Sequence, residues 1–178
     1  MIFNLAFLVG EKMRILGIDP GYAIVGWGVV DYDGYKFAPI GYGAIQTPAK
    51  TEFSSRLLSI YEDMNDVISH FSPDAMSIEE LFFTNNQKTA IDVAQARGVI
   101  LLSAKLSGVP IYEYTPLQVK QSVVGYGRAV KSQVIDMSCS ILKLKKPPKL
   151  DDTADALALA ICHGHCWASN AVGKIAYY

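Results

Sequence analysis

Cysteine is scarce in this chain. The three present, an odd number, do not make a disulfide framework, and a reducing cytoplasm is the expected compartment. Net charge is also lacking: 16 Lys and Arg against 17 Asp and Glu leave a formal −1, which does not announce a polyanionic partner. No apolar run reaches the roughly 20 residues that a membrane helix needs. The apolar stretch Ile2–Val9 is too short, and it has neither the basic start nor the small-residue cleavage site of a signal peptide. No membrane association is expected. Internal repeats and low-complexity tracts are missing too, which excludes a solenoid and a disordered chain.

What is present suits one globular domain with a sizeable core: 178 residues, 51% of them hydrophobic and 19% charged. Met13 directly precedes a clean strand. Residues 1–12 are therefore expected to be a non-essential extension, residues 13–170 a single domain, and residues 171–178 a tail. The near-neutral total hides an uneven distribution. Residues 1–96 carry 6 basic and 12 acidic side chains, whereas residues 97–178 carry 10 and 5. A basic face on a neutral protein is compatible with phosphate contacts, and equally with a solvated surface.

Apolar periodicity orders the elements. Arg14–Asp19, Val25–Tyr32 and Tyr35–Gln46 read as strands, with Asp33-Gly34 turning the second into the third. The spacing of Leu57, Ile60, Tyr61, Met64, Val67, Ile68 and Phe71 predicts a helix over Phe53–Phe71, stopped by Ser72-Pro73. Asp74–Glu80 is a fourth strand and Asn86–Ser107 a long helix ended by Gly108. Val109–Tyr112 is a fifth strand. Helices follow at Thr115–Val123, with Thr115 as N-cap, at Lys131–Leu142, and at Asp151–Cys166, where Gly164 is read as the helix end. This order implies an α/β domain with a mixed sheet and helices against it.

Acidic residues fall at the ends of these elements. Asp19 closes the first strand, on the same face as Ile15 and Gly17. A carboxylate there is costly to bury unless it is paired or holds a metal; the plainer alternative is a turn-forming Asp before Pro20-Gly21. Glu79 and Glu80 close the fourth strand on opposite faces, so at most one can share a site with Asp19. Asp151, Asp152 and Asp155 open the last helix, where acids also complement the helix dipole. Either the i,i+3 pair Asp152/Asp155 or the i,i+4 pair Asp151/Asp155 projects two carboxylates from one face. A divalent cation would relieve their repulsion, and an oxygen-only donor set suits Mg²⁺ or Mn²⁺ rather than zinc. The segment Cys162-His163-Gly164-His165-Cys166 has the residue types of a zinc site, but buried cysteines and helix-end histidines explain it better.

A series of segments resembles one family. It runs through Gly17-Ile18-Asp19-Pro20-Gly21, Ser77-Ile78-Glu79-Glu80 and Gln95-Ala96-Arg97-Gly98-Val99. It continues with Gln118-Val119-Lys120-Gln121 leading into Val124-Gly125, Lys131-Ser132-Gln133-Val134, and Ala154-Asp155-Ala156-Leu157-Ala158. Over roughly residues 13–167 the chain resembles the bacterial RuvC-type Holliday junction resolvases. That resemblance implies a ribonuclease H-like fold: a mixed five-stranded sheet flanked by helices. It implies a Mg²⁺-dependent endodeoxyribonuclease, with two ions per site and Mn²⁺ as substitute, whose catalytic, metal-holding acids are Asp19, Glu79, Asp152 and Asp155. It places Lys120 and Lys131 at the scissile phosphate or nearby backbone, and Phe82 as an aromatic stacked on junction bases.

Arg97 and Arg128 are read as further DNA contacts, with a structural ion pair as the alternative for Arg97. The implied substrate is a four-way DNA junction, cut by symmetric nicks during recombination and repair. The implied partners are a second copy of the chain and the RuvA and RuvB branch-migration proteins. Ile91, Val93, Val99 and Ile100 of the long helix are the expected apolar surface for the homodimer. Competing expectations are a nuclease of the same fold acting on RNA–DNA hybrids, an ATP-dependent kinase fragment, and a non-catalytic junction-binding module.

Overall fold

The computed structural model describes residues 12–80 and 87–168. Among these residues the order is β1 (Met13–Asp19), β2 (Ile24–Tyr32), β3 (Phe37–Gln46), α1 (Phe53–Phe71), β4 (Ala75–Glu79), α2 (Gln87–Leu106), β5 (Ile111–Tyr114), α3 (Pro116–Val124), α4 (Lys131–Leu142) and α5 (Asp151–Ala168). The strands form one sheet in the order β3-β2-β1-β4-β5. β3, β2 and β1 pair antiparallel, while β1, β4 and β5 pair parallel. This is the expected mixed five-stranded sheet.

Strand alternation divides the core between the two sheet faces. Leu16, Ile18, Val25, Val29, Met76 and Ile78 pack against Ile60, Met64 and Ile68 of α1 and Ile100 and Ala104 of α2. On the other face, Ile15, Val30, Tyr32 and Ala75 meet α5 through Leu157, Ala158 and Ile161, with Val119, Val123 and Val134 of α3 and α4 outside them. α1 buries one side of a 3.6-residue period and ends at Ser72, which adopts a left-handed conformation and donates its N–H to the Ile68 carbonyl at 2.8 Å. Thr115 caps α3 as expected: its hydroxyl accepts from the Gln118 N–H at 3.2 Å, and the Gln118 side chain returns to the Thr115 N–H at 2.8 Å.

Four expectations need correction. The hairpin turn spans four residues, not two, because the Asp33 carboxylate accepts from both the Tyr35 and Lys36 N–H groups and β3 starts only at Phe37. β5 lies two residues later than expected. Gly108, at φ +72°, and Val109 are taken up in closing α2, where Val109 donates to the Ala104 carbonyl at 2.9 Å. Gly164 does not end α5: a Cβ there would stand 2.5 Å from the Phe37 ring, so its small size serves packing within the helix. The apolar positions expected to remain on α2 for a partner are not one face. Ile100 is buried and Val93 and Val99 are half-buried, whereas Ile91, Leu102 and Leu106 are 58%, 51% and 66% exposed.

The feature that governs the site is the seating of α5. Gly17 faces Gly28 across the β1–β2 pair, and Asp19 faces Gly26. A Cβ on Gly17 would lie 1.9 Å from the Ala156 carbonyl oxygen, and one on Gly26 would lie 2.0 Å from that of Asp152. Both obstacles are helix backbone, which cannot turn aside. Gly17→Ala is accordingly expected to destabilise the protein by about 3 kcal/mol or more, the upper range for overpacking. Urea unfolding measures this, and an Ala variant with an unchanged midpoint would contradict the close contact.

Candidate active site

The parallel register of β1 and β4 runs through Gly17↔Ser77 and Ile18↔Ile78, so the next residues along, Asp19 and Glu79, stand side by side at the strand ends. Alternation sorts the rest. Ser77 lies on the α5 side, where its hydroxyl donates to the Leu159 carbonyl at 2.7 Å. Glu79, two residues on, shares that face with Asp19, whereas Glu80 follows Met76 and Ile78 to the opposite one. The pleat thus brings Glu79, not Glu80, to Asp19.

α5 supplies the remaining acids. Besides the glycine contacts, the Thr153 hydroxyl ties its first turn to β3, donating to the Gly43 carbonyl at 2.9 Å. Asp155 and Asp152 both act electrostatically on Asp19. Asp151 is exposed and lies outward, where its carboxylate meets the Lys131 ammonium at 3.3 Å. Lys131, the first residue of α4, also reaches Asp155 at 2.9 Å. Sequence reasoning misses the Asp151 contact. Its one signal there is a lysine at a helix start, which needs the tertiary packing of α4 beside α5 to find a partner.

The electrostatics show how crowded the site is. Burial first, then the charges of Glu79, Asp155 and Asp152, push the Asp19 carboxyl up to about 7, with Lys131 opposing them. Burial and Asp155 also raise Glu79. Asp155 is raised by burial, against the opposing pull of Lys131. Burial draws the Lys131 ammonium down, but its hydrogen bonds to Asp155 and Asp151 and their charges outweigh this, and its pKa lies above the ordinary lysine value. Among the described residues, no three His, Cys, Asp or Glu side chains are drawn into a closed ligand set. The donor chemistry nonetheless fits a divalent cation: the carboxylates supply hard oxygen ligands, and a positive ion would offset the repulsion and burial that now raise Asp19.

Comparison with known proteins shows the family. A sequence profile of the family described as "Crossover junction endodeoxyribonuclease RuvC" matches residues 15–163. The chain belongs to the RuvC family. It is 60% identical over 153 residues to the crossover junction endodeoxyribonuclease RuvC of Ruminiclostridium cellulolyticum, covering 86% of this chain and 92% of that one. Identity to the Clostridioides difficile protein of the same name is 58% over 153 residues, covering 86% and 90%. The solved structure of Thermus thermophilus RuvC in complex with Holliday junction substrate superimposes with a TM-score of 0.87 at 35% identity, covering 90% of this chain and 98% of that one. A yeast mitochondrial Holliday junction resolvase, 14% identical with a TM-score of 0.65 over 88% and 79% of the two chains, shares the fold.

The other residues singled out from the RuvC-like segments fall in different places. Phe82 lies outside the described residues. Lys120 is half-buried on α3, and Arg128 is exposed in the loop between α3 and α4, three residues before Lys131. Arg97 corrects an expectation. It is 4% exposed, its guanidinium is paired with Glu113 on β5, and its Nε donates to the Glu79 carbonyl at 3.4 Å. A phosphate cannot reach a guanidinium enclosed in this way. In the Cys162–Cys166 segment the Nδ1 atoms of both histidines are engaged within the protein. His163 Nδ1 pairs with the Tyr114 hydroxyl at 2.8 Å, His165 Nδ1 donates to the Ser122 carbonyl at 3.0 Å, and burial draws the His163 imidazole down to about 4.

The raised Asp19 carboxyl gives a pH prediction for metal-free protein. Its folded pKa, about 7, lies above the unfolded carboxylate value, so its ionisation costs stability. The cost is absent below the unfolded value of about 4, builds as pH rises toward about 7, and levels off above it. Asp19→Asn is therefore expected to melt several degrees above the parent at pH 8 without metal, with the gap closing as pH falls toward 5. A lower melting temperature for the variant at pH 8 would show that Asp19 is not under this repulsion.

Proposed function

We propose that this chain is a divalent-metal-dependent crossover junction endodeoxyribonuclease that resolves Holliday junctions by symmetric nicks in two strands. The observation that carries this reading is the meeting of Asp19 and Glu79 at adjacent strand ends with Asp152 and Asp155 of α5, beside Lys131. Asp19, Glu79, Asp152 and Asp155 are the catalytic set and would hold the metal, with Mg²⁺ the expected ion, two per site, and Mn²⁺ able to replace it. When bound, the metal supplies activation of the attacking water and neutralises charge on the departing oxygen. The carboxylates keep their relative positions because two come from the sheet and two from a helix seated on its glycines.

Lys131 has a second use. Its ammonium now rests on Asp155 and Asp151, at the edge where a phosphate would approach. It can exchange a carboxylate for a phosphate oxygen as DNA enters. Lys120 and Arg128 are proposed as further phosphate contacts, giving salt-dependent affinity. Phe82 is proposed to stack on a junction base, a contact worth about 1–3 kcal/mol. The expected products carry 5′-phosphate and 3′-hydroxyl ends.

A four-way junction has two-fold symmetry, and a C₂ homodimer presents two equivalent sites to it. The exposed stripe of α2, with Ile91, Leu102 and Leu106 on one face and exposed Gly98 between them, is the proposed pairing surface. RuvA and RuvB are the proposed partners in branch migration. Among the described residues no helix is long and apolar enough to cross a membrane. A cytoplasmic location is proposed, where Cys139, Cys162 and Cys166 stay as free thiols.

A synthetic four-way junction tests the reading. In Mg²⁺ the parent protein should nick two opposed strands, in preference to an RNA–DNA hybrid duplex. Asp19→Asn should bind the junction with parental affinity and lose cleavage by more than about 100-fold, beyond what loss of an outer-shell metal partner costs. Preference for the hybrid, or undiminished cutting by the variant, would overturn the assignment.

A further inference from the structure

Arg97 is a buried cation with no place in the proposed contacts to DNA. α2 carries it to the far end of β4, where its guanidinium pairs with Glu113 and its Nε donates to the Glu79 carbonyl at 3.4 Å. Its surroundings show what that geometry holds. The β1–β4 register runs as far as Ile18↔Ile78, one residue short of Glu79. On the other side, Glu79 is level with Tyr114 of β5, and the Glu80 N–H donates to the Tyr114 carbonyl at 2.9 Å. The peptide between Glu79 and Glu80 is therefore held at both ends, its N–H by the Tyr114 carbonyl of β5 and its carbonyl by Arg97. Glu113 stands one residue before Tyr114, so the ion pair ties α2 to the very strand that holds the β4 end.

Stability alone is a poor explanation for this pair. Burying two charges costs about what their attraction returns, and apolar replacements of similar volume are often tolerated. A buried pair is more useful where it selects one geometry. A carboxylate that must share a cation with three others needs its backbone held, because a free strand end would let repulsion from Asp19 and Asp155 swing it away. Arginine suits this role. Its planar fork can engage Glu113 with one nitrogen and the Glu79 carbonyl with another, which a lysine ammonium at the end of a flexible stem does not reproduce.

We propose that Arg97, paired with Glu113, is a positioning residue that holds the Glu79 strand end in register for the metal-binding carboxylates. This deepens the reading of the site as a metal-dependent nuclease and rests on it. It also means that α2, whose outer stripe is the proposed pairing surface, reaches the site through its inner face.

The experiment compares two variants with the parent. Arg97→Met/Glu113→Gln removes both charges of the pair together. Arg97→Lys keeps the charge opposite Glu113 but not the fork. Amide hydrogen exchange at Glu80 is measured on metal-free protein, and Mn²⁺ affinity is measured by calorimetry on the folded variants. Both variants are expected to speed exchange at Glu80 by about tenfold while the amides of β1 stay protected. Mn²⁺ affinity is expected to fall by about 10–100-fold, the range for loss of a group that orients a ligand.

If the double variant does not fold, Arg97→Lys decides alone. Parental exchange at Glu80 together with parental Mn²⁺ affinity, in either folded variant, would overturn the proposal. Faster exchange spread evenly over the whole sheet would also overturn it, since that is the mark of a merely structural role. A parent protein that fails to cut junctions would remove the functional reading, while the exchange measurement would still decide whether Arg97 holds the strand end.

Discussion

Contact between the backbone of α5 and the glycines of β1 and β2 underlies everything else in the site. Side chains on both surfaces ordinarily separate a helix from a sheet, and glycine lets the two backbones approach closely. Here Gly17, Gly26 and Gly28 remove one layer, and the first turns of the helix lie against the strands themselves. The distance matters because the acids are short. Asp152 and Asp155 act on Asp19 only because the helix that carries them has come so close. Ser77 and Thr153 add hydrogen bonds to backbone carbonyls at 2.7 and 2.9 Å, which limit sliding of the helix along the sheet.

That seating creates an electrostatic cost, and the rest of the site reads as its management. Burial and mutual repulsion raise Asp19, Glu79 and Asp155 together. Lys131 relieves part of this from the α4 side, and Arg97 and Glu113 hold the β4 end from the α2 side. A site with this much uncompensated negative charge is suited to a divalent cation and unsuited to DNA without one. In the proposed function the positive residues have two jobs, to hold the acids in the resting protein and to bring in a polyanion. Lys131 is placed for both, whereas Arg97, enclosed between α2 and β5, is placed only for the first.

Much of the fold is legible in the sequence. Strand alternation and helical spacing predict the element order, the bounds of α1 and α4, and the Thr115 cap, because those depend on local patterns of burial and on one side chain reaching its own backbone. The misplaced features have another cause. β5 moves by two residues because Gly108 and Val109 close the preceding helix, a competition between two local structures that composition does not resolve. Gly164 reads as a stop signal, but its role is set by the Phe37 ring, more than a hundred residues away in the chain. Arg97 is the same case: a charged residue on a helix is usually solvated, and only the neighbouring Glu113 and the Glu79 carbonyl make its burial possible.

By itself, the sequence determined which residue types stood at the ends of which elements, and its motifs carried the family. Those are one-dimensional properties, set by order and spacing along the chain. It could not choose between Glu79 and Glu80 or between Asp151 and Asp152 on local grounds, since each pair is chemically alike and adjacent. The family resemblance favoured Glu79 and Asp152, and the tertiary structure brings those two within electrostatic reach of Asp19. The pleat of β4 turns Glu79 toward the α5 face, and the seating of α5 turns Asp152 inward to Asp19 while Asp151 goes outward to Lys131. The physical reason is that a shared site depends on which faces meet and how closely, and that is settled by glycines and backbone contacts far apart in the chain.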